Sequence, residues 1–177
     1  VIVISSPQKK DAEIEQILQM FDHGLETFHL RKSNFSEKEM RQYIKSIPKE
    51  HRKKVVLHTH HHLVKRFSLK GIHLKKKHRT NNLKGFFRKI KLKLLYKNYS
   101  ISTSFHSLTS LHQAKDYNYA TLSPIFDSIS KPGYAPPFSN NVLKYDLHHL
   151  RHNIYALGGI NTHNVLIAKE LGFKGVA

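Results

Sequence analysis

Two adjacent glycines, Gly158 and Gly159, follow an apolar segment at residues 154–157 and precede Asn161 and a segment with helical spacing. Glycine has no Cβ, so a ligand can approach its backbone N–H groups closely. The passage from a strand into a helix also favours anions, because the first N–H groups of a helix have no partner within it. The pair therefore predicts a phosphate site, although two glycines alone are a weak signal.

Cationic side chains follow two other strand-like segments. Arg31 and Lys32 come directly after residues 27–30, and a Lys-Lys-Lys-His run at residues 75–78 comes directly after residues 71–74. A guanidinium presents a planar fork to a phosphate, and an ammonium adds a compact charge. Both groups are predicted anion sites, with an ordinary solvated loop as the alternative.

A third group combines hydroxyls with an ammonium. Ser128, Ser130 and Lys131 precede a Pro-Gly-Tyr segment at residues 132–134, which favours an ordered flap. Hydroxyl and ammonium donors suit a diphosphate. A turn-rich loop without a ligand is the alternative.

The histidines at positions 58, 60, 61 and 62 raise the question of a metal site. Their spacing matches no familiar zinc pattern, and no nearby carboxylate completes a ligand set. We interpret them as histidines of a loop and a first helical turn, and we predict no metal ligands in the chain.

Strand-like and helix-like segments alternate along the chain. The strand-like segments are residues 1–4, 27–30, 55–57, 71–74, 100–103, 120–122, 154–157 and the segment that begins at Gly175. This alternation predicts an α/β fold with a parallel sheet, and eight units in series predict a single (β/α)8 TIM barrel over residues 1–177. The eighth unit is expected to be incomplete, since the sequence ends at Ala177. Active sites of such barrels lie at the carboxyl ends of the strands, where the candidate residues are found.

Two helices have specific signatures. Ser36 and Glu39 predict a capping box at the start of one. In the other, an apolar stripe lies opposite lysines and arginines, and no acidic residue occurs from Lys75 to Lys97. The stripe consists of Leu83, Phe86, Phe87, Ile90 and Leu94. We expect it to pack on the sheet as a barrel helix; a membrane-surface or nucleic-acid-binding helix is the alternative.

Composition narrows the classes of protein. The absence of cysteine excludes disulfides and thiolate zinc sites. No signal-peptide pattern opens the sequence and no segment is long and apolar enough for a bilayer, so we predict a cytoplasmic protein without a membrane partner. The 30 Lys and Arg against 12 Asp and Glu give a net charge of +18. That field attracts phosphates or nucleic acid without choosing between them, and a genome-wide bias towards lysine would also produce it.

Several segments together resemble the thiamine phosphate synthase family, which includes thiazole tautomerases. They are residues 28–31 (Phe-His-Leu-Arg), 71–74 (Gly-Ile-His-Leu), 104–108, 123–131 and 156–161 (Ala-Leu-Gly-Gly-Ile-Asn), with Gly172 and residues 175–177. The resemblance covers essentially the whole chain. It implies a (β/α)8 barrel that joins hydroxymethylpyrimidine diphosphate to a thiazole phosphate, with Mg²⁺, and releases pyrophosphate.

The resemblance also implies roles for individual residues. Arg31 and Lys131 would hold the diphosphate, and Ser104 would lie near the pyrimidine and the leaving group; these three are the predicted catalytic residues. The predicted substrate-binding residues are His29, Lys32, His58, Lys75, Lys77, Ser128, Ser130, Gly158 and Gly159. Among them, the two serines and the two glycines would bind the thiazole phosphate.

Some positions depart from the family pattern. The two aspartates that would bind Mg²⁺ correspond to Thr59 and His78, so the metal is expected to arrive with the diphosphate, and Lys75 and Lys77 to add positive charge directly. The position of the tautomerase histidine holds Pro124. A tautomerase-like enzyme and a non-catalytic binder of thiamine-related phosphates remain alternatives. Nucleic acid is the least favoured partner, and self-association is left open.

Overall fold

The structure is a computed structural model that describes residues 1–8, 10–76, 83–127, 137–150 and 152–177, without the side chains of residues 83–86 and 88–89. The chain divides into two compact units, Val1–Ile101 and Ser102–Ala177. The prediction of a single domain stays a prediction. Among the described residues, no helix has the length and apolar character that a bilayer span requires.

Eight strands form one sheet in the order of the sequence. They are β1 (Val3–Ile4), β2 (Phe28–Leu30), β3 (Val55–Leu57), β4 (Gly71–Leu74), β5 (Ser100–Phe105), β6 (Tyr119–Leu122), β7 (Ile154–Ala156) and β8 (Gly175–Val176). Strands β1 to β4 pair in parallel, and so do β5 to β8. The α/β fold class of the TIM-barrel type is therefore confirmed.

Helices occupy the connections between the strands. They are α1 (Glu13–Asp22), α2 (Glu37–Ser46), α3 (Lys49–Arg52), α4 (Leu63–Phe67), α5 (Leu83–Leu95), α6 (Leu108–Leu111), a 3₁₀ helix (His112–Asp116), α7 (Asn140–His149) and α8 (Val165–Glu170). The predicted capping box of α2 is confirmed: the Glu39 backbone N–H donates to Ser36 Oγ, and the Ser36 backbone N–H donates to Glu39 Oε2.

Strand β5 extends two residues beyond the predicted segment and ends at Phe105. Ser104 reads as a loop residue in the sequence because it is small and polar. In the structure it pairs with Thr121 of β6, whose hydroxyl donates to Ser104 Oγ at 2.8 Å. A hydrogen-bonding partner on the neighbouring strand thus keeps this polar residue in the sheet.

Each unit has its own apolar core. In the first, the side chains of Phe28, Leu30, Met40 and Ile44 are fully buried, and the Phe28 ring meets the edge of Phe21 in α1. In the second, side chains of β5 to β8 pack with those of α6 to α8. Burying one such side chain contributes about 1.5–3 kcal/mol. The cores hold the strands in register and thereby set the positions of the residues at the strand ends.

The expectation for the apolar stripe of α5 is wrong where the structure describes it. Phe87 is 67% exposed, Ile90 40% and Leu94 69%. Leu83 and Phe86, which complete the stripe, have side chains outside the description. The periodicity identified the helix correctly, but the burial of one face depends on how the helix meets the sheet, and a periodic pattern does not contain that information.

A buried ion pair joins the loop after β2 to the two helices beside it. Lys32 is completely buried, and its Nζ lies 2.6 Å from Glu13 Oε2 of α1. The same Nζ donates to the backbone oxygen of Gln8 at 2.6 Å and lies 5.5 Å from the centre of the Tyr43 ring. Tyr43 in turn donates from its hydroxyl to Glu13 Oε2 at 2.8 Å. Burial, with this hydrogen bond as the next cause, raises the pKa of Tyr43.

We expect Lys32→Met to lower the free energy of unfolding by about 3–5 kcal/mol, because it leaves the Glu13 carboxylate buried without its cation. Lys38→Met is the matched control. Lys38 is exposed in α2, and its replacement should change stability by no more than about 0.5 kcal/mol. Urea denaturation followed by circular dichroism measures both. Equal midpoints for the two variants would contradict the structural role of the pair.

Candidate functional site

Three histidines from consecutive strands meet in the first unit. His29 lies in β2, His58 directly follows β3, and His73 lies in β4. Their side chains each bring a ring nitrogen within 4.8 Å of the others. His29 is fully buried and His73 is 6% exposed. The carboxyl ends of β2 to β4 therefore carry a compact imidazole cluster.

The register of the parallel strands explains the cluster. Leu30 pairs with Leu57, and Leu57 pairs with Ile72. One residue further along each strand, His58 therefore lies beside both Arg31 and His73. Because successive side chains of a strand point to opposite faces, His29 shares a face with Arg31, two residues away. All three histidines consequently emerge on the face opposite Leu30.

The rings contact one another directly. His29 Nδ1 and His58 Nε2 are 2.9 Å apart, a hydrogen bond in which one ring donates and the other accepts. The rings of His58 and His73 stack, with centroids 4.2 Å apart and planes 18° from parallel. The His29 ring meets His73 edge-on at 5.2 Å.

Electrostatics keep two of these rings neutral. Burial, with the neighbouring His73 as the next cause, lowers the pKa of His29 and the pKa of His58. Further positive groups act in the same direction, Lys70 on His29 and Arg31 on His58. A neutral imidazole has a free lone pair on one ring nitrogen, so it can accept a hydrogen bond or bind a metal.

Arg31 lies at the rim of this cluster. Its side chain is exposed, and its backbone N–H donates to Ser5 Oγ at 2.8 Å. Ser5 itself donates from its backbone to the oxygen of His29 at 3.0 Å. The end of β1 thus holds the backbone of β2 at the point where the guanidinium leaves the sheet, and the side chain remains accessible to an anion.

Lys32 has a structural role that its position in the sequence did not indicate. Its ammonium is paired with Glu13 inside the protein, while Arg31 beside it is exposed. Of these two adjacent basic residues, Lys32 is therefore buried in the protein and Arg31 faces solvent. The predicted contact of Lys32 with substrate stays a prediction, and so does that of Lys75, whose side chain is exposed at the end of β4.

In the second unit, Ser104 belongs to a polar face of the sheet. It pairs with Thr121, and Thr121 pairs with Tyr155 of β7. The next residue of each strand, Phe105 in β5 and Leu122 in β6, points to the opposite face and is fully buried in the apolar core. The predicted role of Ser104 near a leaving group is not tested by this packing.

Steric contacts within the second unit explain why both positions are glycine. Both residues have positive φ, 93° at Gly158 and 67° at Gly159. A Cβ on Gly159 would lie 2.3 Å from the backbone oxygen of Asp127, and one on Gly158 would lie 3.0 Å from Pro124 Cα. The backbone after β6 thus requires glycine here whether or not a phosphate binds. The predicted phosphate contact of this pair stays a prediction.

Four predicted site residues lie outside the described residues. They are Lys77, Ser128, Ser130 and Lys131. Directly before the last three, the loop after β6 is held by the side chain of His106, whose Nδ1 lies 3.1 Å from both the hydroxyl and the backbone oxygen of Ser123.

The described residues directly after β3 and β4 do not fit a Mg²⁺ ion held by the protein. Magnesium prefers oxygen ligands, mainly carboxylates and water, in octahedral geometry. After β3 the chain offers His58 and the Thr59 hydroxyl, and after β4 it offers the ammonium groups of Lys75 and Lys76. Among these four residues there is no carboxylate. Magnesium carried by a diphosphate stays a prediction.

Sequence reasoning missed the histidine cluster because it searched for ligands close together in the chain. His29, His58 and His73 are separated by 29 and 15 positions, whereas the histidines at positions 60 to 62 drew attention by adjacency. The available signal was a histidine at the end of each of three consecutive strands. Because the three strands pair in parallel, residues at their ends become neighbours, and the three histidines touch.

The comparisons with known proteins agree on one family. The family model described as thiamine monophosphate synthase matches residues 1–177. The thiamine-phosphate synthase of Caldicellulosiruptor saccharolyticus is 22% identical over 171 residues, which span 94% of this chain and 74% of that protein.

Two solved structures with a related name have a similar fold. Thiamine phosphate pyrophosphorylase from Bacteroides thetaiotaomicron superposes with a TM-score of 0.79 at 26% identity, covering 99% of this chain and 80% of that one. The Pyrococcus furiosus protein of the same name gives a TM-score of 0.75 at 18% identity, with coverages of 99% and 82%. At that lower identity the likeness concerns the fold alone.

The glycine geometry generates a prediction about stability. We expect Gly159→Ala to lower the free energy of unfolding by roughly 2–4 kcal/mol, because the methyl group adds a backbone clash to the cost of a positive φ. Gly24→Ala is the matched control. Gly24 has φ +89° and no atom within 4 Å of its would-be Cβ, so about 1 kcal/mol is expected there. Thermal denaturation compares the two; an equal or smaller loss at Gly159 would contradict the close approach of the Asp127 backbone.

Proposed function

This chain belongs to the thiamine monophosphate synthase family, and from that membership we propose that it is a transferase that makes thiamine phosphate. The proposed substrates are hydroxymethylpyrimidine diphosphate and a thiazole phosphate. The products are thiamine phosphate and pyrophosphate. Both substrates are polyanions, in keeping with a chain whose net charge is +18.

The reaction determines what the protein has to supply. The bond between the pyrimidine methylene carbon and the diphosphate oxygen breaks, and its electron pair leaves with the diphosphate. The thiazole nitrogen then gives its lone pair to that carbon, forming the new C–N bond. Charge accumulates on the leaving group, so fixed positive groups and hydrogen-bond donors placed around it lower the barrier without a protein nucleophile.

The observation that carries the proposal is the position of Arg31. Its exposed guanidinium leaves the sheet at the carboxyl end of β2, beside the polar side chains of His29 and His58. Strand ends of this kind hold the active sites of TIM-type barrels. A guanidinium there can bind two oxygens of a diphosphate at once.

The other assigned residues complete the proposed site. Lys131 would bind the diphosphate with Arg31, and Ser104 would contact the pyrimidine side of the leaving group. Ser128, Ser130, Gly158 and Gly159 would bind the thiazole phosphate. His29, His58, Lys75 and Lys77 would line the pyrimidine diphosphate, and the two lysines would supply positive charge to it directly. A cytoplasmic location follows from this biosynthetic role and is part of the proposal.

We expect Arg31→Ala to reduce kcat/KM for thiamine phosphate formation roughly 10²–10³-fold, since it removes a donor to the developing negative charge. Arg66→Ala is the control, because Arg66 is exposed on α4 away from the strand ends, and it should retain full activity. The measurement is the formation of thiamine phosphate from the two purified substrates over a range of Mg²⁺ concentrations. A wild-type protein that binds both substrates without turnover at any Mg²⁺ concentration would contradict the proposal and leave a phosphate-ligand binder.

A further inference from the structure

We propose that His29, His58 and His73 form a binding site for a divalent transition-metal ion of the zinc type. The site lies at the carboxyl ends of β2, β3 and β4, within the first compact unit. It shares His29 and His58 with the proposed substrate site, and its test is separate because binding of the ion is measured without substrate.

The distances are close to those of a three-histidine site. A zinc ion binds imidazole nitrogens at about 2.0–2.1 Å, which places two such nitrogens about 3.3 Å apart in tetrahedral geometry. His29 Nδ1 and His58 Nε2 are 2.9 Å apart, and the nitrogens of all three rings lie within 4.8 Å of one another. The nitrogens therefore have to approach one another by no more than about 1.5 Å to reach that spacing.

One ring must turn for the ion to enter. The rings of His58 and His73 are stacked at 4.2 Å, so their lone pairs run nearly parallel and do not meet at a point. Rotation of a histidine ring about its Cβ–Cγ bond is a soft motion, broad and roughly two-fold in its preferences. His58 is the ring with room to turn, because it is the most exposed of the three.

The ligand chemistry selects the class of metal. Imidazole suits zinc, copper, iron and nickel, whereas magnesium prefers oxygen. The three imidazoles offer one ring nitrogen each to such an ion. The hydrogen bond between His29 and His58 would be replaced when the ion binds, and the N–H that forms it would move to the other nitrogen of the same ring.

Two cationic side chains near the histidines favour an anionic fourth ligand on the metal ion. Arg31 beside His58 and Lys70 beside His29 repel a dication. Three protein ligands leave a fourth tetrahedral position open, as in catalytic zinc sites. An anionic oxygen ligand in that position, such as a phosphate, would offset the repulsion and contact Arg31 at the same time.

A buried hydroxyl group also follows β3, next to His58 in the chain. Thr59 Oγ1 directly follows His58 in the chain, is buried, and makes no hydrogen bond within the described residues. A buried polar group without a partner costs about 1–3 kcal/mol.

The test uses the full chain, stripped of metal with EDTA and titrated with Co²⁺. Visible absorption reports tetrahedral coordination, and equilibrium dialysis reports stoichiometry. We expect one tight equivalent per chain, lost or weakened roughly 100-fold or more in His58→Gln and in His73→Gln, since even an outer-shell partner contributes 10–100-fold. The double variant His148→Gln/His149→Gln is the control. It removes two of the 15 histidines at an exposed part of α7, and it should leave the tight equivalent unchanged.

A second measurement keeps the proposal testable if a variant fails to fold. X-ray absorption on the Zn²⁺-loaded wild-type chain should show three imidazole nitrogens at about 2.0 Å. The proposal is overturned if no equivalent of Co²⁺ binds tightly, if His58→Gln binds it as well as wild type does, or if the zinc has fewer than three imidazole ligands. Thiamine phosphate formation without the metal would leave the synthase proposal standing, so the two proposals fail separately.

Discussion

The parallel register of β2, β3 and β4 is the constraint on which the candidate site depends. With Leu30, Leu57 and Ile72 aligned across the three strands, the two-residue alternation of side chains sends these apolar residues to one face. The same alternation sends His29, His58 and His73 to the other. A shift of one residue in any pairing would exchange the faces and bury an imidazole in the apolar core. The same strand register therefore determines both the packing of the core and the position of the polar cluster.

Polar groups inside the first unit are stabilised by partners rather than by water. The Lys32 ammonium lies against Glu13, a backbone oxygen and an aromatic ring. The His29 and His58 rings share a hydrogen bond, and burial holds both rings neutral. These two solutions differ in their consequences. The ion pair joins two opposite charges, whereas the hydrogen bond between the imidazoles joins two neutral groups.

The family relationship and the departures from the family pattern concern different parts of the molecule. The fold agrees with the family, and Gly159 has a steric reason of its own in the backbone of Phe126 and Asp127. The departures from the pattern of the resemblance gather after β3 and β4, where Thr59 and His78 stand at the positions of the two aspartates. Soft nitrogen ligands in place of hard oxygen ligands change which metal the site can bind.

The sequence by itself determined the eight β/α units, the capping box of α2 and the family, because periodicity, capping and motif order are local properties of the chain. It also located Arg31 at a strand end. Tertiary structure alone decided that Lys32 turns inward to Glu13, that the stripe of α5 is exposed where it is described, and that three distant histidines touch. Those outcomes depend on strand register and on which element approaches which, and such relations between remote residues leave no trace in local spacing.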